Sequence, residues 1–124
     1  MSNIMLKDKV AVITGASQGL GEALAIRLSD EGCKVVVADL NYEGAQNVAA
    51  QLKDAIAVAV DVTKYEDCKA MAKAAVDKYG RIDILVANAA IVMSGDILEF
   101  PAAKFAKVVD VNLNGYFNTV KAVV

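Results

Sequence analysis

The chain has 124 residues, a formal net charge of −2, no histidine and two cysteines, Cys33 and Cys68. This excludes a Ser-His-Asp triad, a Cys-His pair, an imidazole or four-thiolate metal site and a disulfide framework, and near-neutral charge argues against a nucleic-acid or anionic-membrane partner. The residues are 56% hydrophobic but only 6% aromatic, so Ala, Val, Ile and Leu must build the core, as in strands buried on both faces of a sheet.

Lys9–Thr14 is a short apolar run that predicts a buried strand leading into a glycine cluster. From Gly19 to Glu31, Leu20, Ala23, Leu24, Ile26 and Leu28 recur at helical spacing, and Gly32 supplies a stop. Lys34–Asp39 predicts a second buried strand, and Asn41 can cap a helix running to about Leu52. Ala55–Val60 predicts a third strand ending at Asp61. Thr63 and Glu66 have the spacing of a capping box for the next helix. That helix should turn Cys68, Met71, Ala72, Ala75 and Val76 inward and stop at Gly80. Ile82–Ala87 predicts a fourth strand, a loop with Gly95 follows, and Pro101 opens a last helix. The alternation β-α-β-α-β-α-β-α implies an α/β fold, a doubly wound parallel sheet with right-handed crossovers. A ligand should sit beyond the C-terminal ends of the strands.

No apolar run approaches a membrane span. The first residues, Met-Ser-Asn-Ile-Met-Leu-Lys-Asp-Lys, lack the regional order of a signal peptide. A cytoplasmic protein without membrane contact is the expectation.

The first strand runs into Thr14-Gly15-Ala16-Ser17-Gln18-Gly19-Leu20-Gly21. Strand before, helix after and a βαβ unit around it are the context of a dinucleotide-binding turn. Gly15 can make the tight turn, Gly19 can let backbone approach a pyrophosphate, and Gly21 can let the helix pack closely. The helix N-terminus offers N–H donors and the positive dipole end to phosphates. The Thr14 hydroxyl can bind turn amides. Asp39 closes the second strand 24 residues after Gly15, where a carboxylate can bind both ribose hydroxyls and repel a 2′-phosphate. Gln18 is neutral where an arginine could grip that phosphate. Both features favour NAD over NADP.

Thr-Gly-x-x-x-Gly-x-Gly resembles the short-chain dehydrogenase/reductase family in its classical branch. Further landmarks fall in the family's order: Asp61-Val62 after the third strand, Asp83 before the fourth, Asn88-Ala89 after it, and Val111-Asn112 with Gly115 and Phe117. The resemblance covers Lys9 to Val124 and implies the N-terminal part of a Rossmann-type fold that binds NAD. It implies that Asp61 contacts the adenine, that Asn88 braces the fourth strand, and that Ala89 and Ala90 line the nicotinamide-ribose side. Ser17, Leu20, Leu40 and Val62 complete the cofactor-contacting set. Asn112 would act in catalysis by holding the water that links a catalytic lysine to solvent. Ala87 and Ala90 depart from the family's Asn-Asn-Ala-Gly.

The family's catalytic serine and Tyr-x-x-x-Lys are expected downstream of Asn112. Within these 124 residues the Tyr-x-x-x-Lys spacing occurs once, at Tyr65 and Lys69, in the helix after the third strand. It reads there as a pair on a solvated helix face. Asn118 to Val124 carries no helix stop, so the chain reads as one cofactor-binding domain cut within a helix, inactive alone. The resemblance implies hydride transfer between NAD and an alcohol or ketone, a polyol or secondary alcohol first and a 3-oxoacyl-carrier substrate second. A non-catalytic dinucleotide-binding or assembly module is the alternative, and a homo-oligomer is expected. Met93, Ser94 and Gly95 are the loop residues with some reach toward a substrate.

Overall fold

The computed structural model describes residues 5–124. Residues 1–4, the start of the stretch read above for a signal peptide, lie outside the described residues. The elements follow the expected alternation: β1 Val10–Thr14, α1 Gly19–Asp30, β2 Lys34–Asp39, α2 Tyr42–Ala49, β3 Ala55–Ala59, α3 Tyr65–Tyr79 and β4 Ile84–Val86. An irregular connection then leads into one helical stretch made of α4 Ala102–Val109, a π-helical turn Asp110–Asn114 and α5 Gly115–Val123.

The strands form one parallel sheet in the order β3-β2-β1-β4. Side chains alternate across it, which explains why β1 and β2 are almost wholly apolar. Ala11, Ile13, Val35 and Val37 pack with Ala25, Ala45 and Val48 on the α1–α2 face. Val12, Val36 and Ala38 pack with Cys68, Met71, Ala75 and Val111 on the α3–α5 face. Each such Val, Ile or Met buried in full stabilises the fold by roughly 1.5–3 kcal/mol relative to exposure. The chain moves from β1 outward to β3, then returns to the other side of β1 as β4. The sheet therefore has its topological switch between β1 and β4, and a crevice opens there at the C-terminal strand ends.

Asp83 locks the other end of that strand pair. Its Oδ2 accepts the backbone N–H of Val10 at 2.9 Å, and Arg81 binds Oδ1 at 2.7 Å through Nη2. The Arg81 hydrogen bond, with the Val10 amide adding to it, pulls the Asp83 carboxyl down to about 2.

Several local expectations are corrected. Thr63 and Glu66 form no capping box. Lys64 occupies the cap position of α3 with no side-chain cap, because the Thr63 hydroxyl donates to Asp61 Oδ1 instead. Val76 is exposed rather than inward, and so is Leu20; the buried face of α1 is Gly21, Ala25 and Ser29. Strand β4 pairs with β1 over only Ile84–Val86, not Ile82–Ala87. The last helix is interrupted by the π-helical turn, where the chain widens by one residue. The Asn41 cap is as expected, its Oδ1 accepting from the Gly44 N–H at 3.0 Å.

Candidate cofactor-binding site

A cleft of about 480 Å³ opens at the switch between β1 and β4. The glycine turn and α1 supply one wall through Gly15, Gln18, Gly19 and Leu20. Asp39 and Leu40 close the β2 end, and Val60, Asp61 and Val62 come from the end of β3. The opposite wall is Asn88 to Ile91 from beyond β4, with Lys107 and Val111 reaching in from the last helical stretch. Eleven of the thirteen cofactor candidates thus line one cleft as separate pieces of wall. The exceptions are Ser17 and Gly21, which do not line it.

Two glycines let this wall form. Gly15 has φ +65°, and a Cβ there would lie 2.9 Å from Ala89 Cα. A Cβ on Gly21 would collide with the Gly15 carbonyl oxygen and approach Asn88 Nδ2 at 2.7 Å. Backbone of the glycine turn, the first turn of α1 and the end of β4 therefore touch directly, at distances that no larger residue permits.

Buried Thr14 ties the same parts together. Its Oγ1 accepts the N–H of Asn88 at 3.0 Å and of Ala89 at 3.1 Å. The hydroxyl thus serves amides beyond β4, not those of its own turn. Asn88 Nδ2 donates to the Gly15 carbonyl at 3.2 Å, so it braces the β1–β4 junction while also facing the cleft.

The two cleft carboxylates are held by neighbouring residues. Asp39 accepts the Ser17 N–H on Oδ2 at 3.0 Å and the Asn41 N–H on Oδ1 at 2.9 Å. This fixes its orientation between the glycine turn and α2. Asp61 Oδ1 accepts both the Thr63 hydroxyl at 2.6 Å and the Thr63 N–H at 3.0 Å. The Thr63 hydroxyl bond holds the Asp61 carboxyl below its ordinary range. Asp61 Oδ2 has no hydrogen-bond partner of its own among the described residues.

Asn112 lies in the π-helical turn and does not line the cleft. Its Oδ1 accepts from the Ile91 N–H and its Nδ2 donates to the Ile91 carbonyl, both at 2.9 Å. It anchors the start of the connection after β4. Met93, Ser94 and Gly95 are exposed and stand outside the cleft. Tyr65 and Lys69 are also away from it. Lys69 pairs with Glu66 at 3.6 Å, while Tyr65 is half-buried against α5, with Lys121 over its ring at 5.1 Å. The two do meet as the expected i,i+4 pair, with Lys69 Nζ 5.6 Å from the Tyr65 ring centroid, but only Lys69 is exposed.

The donors present suit a dinucleotide. No side chain caps the N-terminus of α1, so its first-turn N–H groups stay open toward the cleft. A Cβ on Gly19 would meet nothing within 4 Å, which leaves room over the backbone there. Lys107, Ile91, Val60 and Val111 were absent from the sequence-derived set. Val111 and Lys107 are four residues apart on a helix, a spacing that would have paired them had either been placed at the cleft beforehand.

Such a cleft, at the switch point of a parallel sheet wound on both faces, defines a Rossmann-type protein. A sequence model of the family described as short chain dehydrogenase matches residues 9–124, and the chain belongs to that family. An uncharacterized oxidoreductase of Staphylococcus aureus strain MRSA252 is 41% identical over 120 residues, covering 95% of this chain and 52% of that protein. The crystal structure of a hydroxysteroid dehydrogenase from Escherichia coli superposes with a TM-score of 0.90 at 33% identity, covering 95% of this chain and 52% of that one. That of a 3-ketoacyl-(acyl-carrier-protein) reductase from Brucella melitensis complexed with NADH gives 0.91 at 36% identity, covering 96% and 50%. The chain spans about half the length of the relatives it matches. Among the described residues no helix is long and apolar enough to cross a membrane.

Proposed function

We propose that the cleft binds a nicotinamide dinucleotide, NAD in preference to NADP, and that these residues form the cofactor-binding part of an oxidoreductase acting on an alcohol or ketone. The observation that carries the reading is Asp39. Its carboxylate is oriented by two backbone amides at the C-terminal end of β2 and faces the cleft beside neutral Gln18. A fixed carboxylate there accepts from ribose hydroxyls and repels a 2′-phosphate. The open amides of α1 would hold the pyrophosphate, Asp61 Oδ2 the adenine edge, and Ala89 and Ala90 the nicotinamide ribose. When bound, the nicotinamide supplies the hydride acceptor or donor.

The chain's own contribution is to hold and orient. Thr14, Gly15 and Asn88 fix the two walls against each other, and Asn112 fixes the Ile91 backbone beside them. The polyol or secondary-alcohol reading of the substrate rests on family resemblance alone. The 3-oxoacyl reading draws support from the likeness to the Brucella melitensis reductase. Calorimetry with NADH and NADPH tests the cofactor reading. NADH should bind more tightly, and Asp39→Ala should narrow the difference. Tighter binding of NADPH by the unaltered chain would overturn it.

A further inference from the structure

Among the described residues, three charged side chains line the cleft: Asp39, Asp61 and Lys107. Without Lys107 the charged groups of the lining would all be anionic, yet the ligand class proposed above carries two diphosphate charges of the same sign. Lys107 is the cation that the cleft itself provides. It sits in the last turn of α4, is exposed, and is engaged in no ion pair with either carboxylate. Val111, four residues on, lines the cleft below it and is buried. The helix therefore directs one apolar and one cationic side chain into the same opening. The field of Lys107 reaches Asp61. After the Thr63 hydrogen bonds and Lys64, it contributes to holding that carboxyl low.

We propose that Lys107 is a cofactor-recognition residue, an ammonium at the mouth of the cleft that offsets its carboxylates and draws in the diphosphate of the dinucleotide. This rests on the dinucleotide reading of the cleft. A cation beside a concave, partly apolar opening focuses its field there and raises the encounter rate with anions. Because Lys107 is exposed, its effect is screened by salt over about 8–10 Å at ordinary ionic strength. It should therefore act on affinity and salt dependence, not on folding.

The test titrates the purified chain with NADH by calorimetry and with adenosine by NMR, at low and high sodium chloride. Lys107→Met is expected to weaken NADH binding roughly three- to tenfold at low salt and to flatten its salt dependence. Lys107→Arg should keep both, since the charge remains. Adenosine, which has no phosphate, should bind both forms within about twofold. Equal NADH binding by Lys107→Met and the unaltered chain would overturn the inference while leaving the cofactor reading intact. Parallel loss of NADH and adenosine would also overturn it, because the side chain would then act by packing. Failure of the unaltered chain to bind NADH would overturn the cofactor reading and this inference with it.

Discussion

Replacing Thr14 by Val is the sharpest probe of how the cleft is held open. The two side chains have nearly the same shape, so Thr14→Val exchanges one oxygen for a methyl in a site only 1% exposed. That oxygen is the acceptor for both the Asn88 and Ala89 N–H groups. A donor left unpaired away from water costs about 1–3 kcal/mol. Two partly buried donors place the loss at about 2–4 kcal/mol. For a chain of this length that lowers the melting temperature by about 8–15 °C. Thr14→Ser keeps the oxygen and deletes a methyl, with an expected loss of about 1 kcal/mol. Urea unfolding followed by circular dichroism measures both. The assignment of Thr14 as the β1–β4 tie is refuted if the Val variant stays within about 0.5 kcal/mol of the unaltered chain, or if Ser costs as much as Val.

Two further outcomes follow from the hydrogen bonds. Asp83 has its folded carboxyl at about 2, below the ordinary value of about 3.9. Its contribution is complete above that ordinary value and is lost as pH falls through about 2. The melting difference between the unaltered chain and Asp83→Ala should therefore close between pH 5 and pH 2; a difference independent of pH contradicts the Arg81 pairing. Asn112→Ala removes both bonds to the Ile91 backbone, so the Ile91 amide should exchange with deuterium up to about tenfold faster. Unchanged protection at Ile91 would show that something other than Asn112 holds this segment.

Much of the fold was readable because it rests on signals a short window contains. Val10–Thr14 and Lys34–Asp39 are apolar runs between turn residues, and both are strands buried on two faces. The glycine spacing and Asp39 marked one side of the cleft. What escaped depends on contacts between distant segments. The Thr63 hydroxyl could accept from an α3 amide or donate to Asp61, and the turn after β3 brings Asp61 Oδ1 within 2.6 Å of it. Val76 has the spacing of an inward residue, but α3 turns that edge away from the sheet. The π-helical turn leaves no mark in hydrophobic spacing, because Val109 and Leu113 would suit an uninterrupted α-helix equally well. Lys107 is one of many surface lysines by composition. Only the return of the last helix toward β3 places it at the cleft.

The π-helical turn also constrains how the chain can change length. An α-helix turns about 100° per residue. The π-helical turn Asp110–Asn114 takes up one extra residue within a single turn, so removing that residue would restore α-helical winding and leave α5 facing nearly the same way relative to α4. Gly115 meets Val62 so closely that a Cβ would lie 2.6 Å from Cγ2, and Asn118 Nδ2 reaches the Val62 carbonyl at 3.0 Å. Both contacts survive that deletion, but not the removal of a residue from regular α-helix between Gly115 and Asn118, which would turn one contact by about 100° relative to the other. The π-helical turn is therefore the place in this helical stretch where a single-residue deletion leaves α5 docked at the cleft floor, whereas the same deletion inside α5 detaches it.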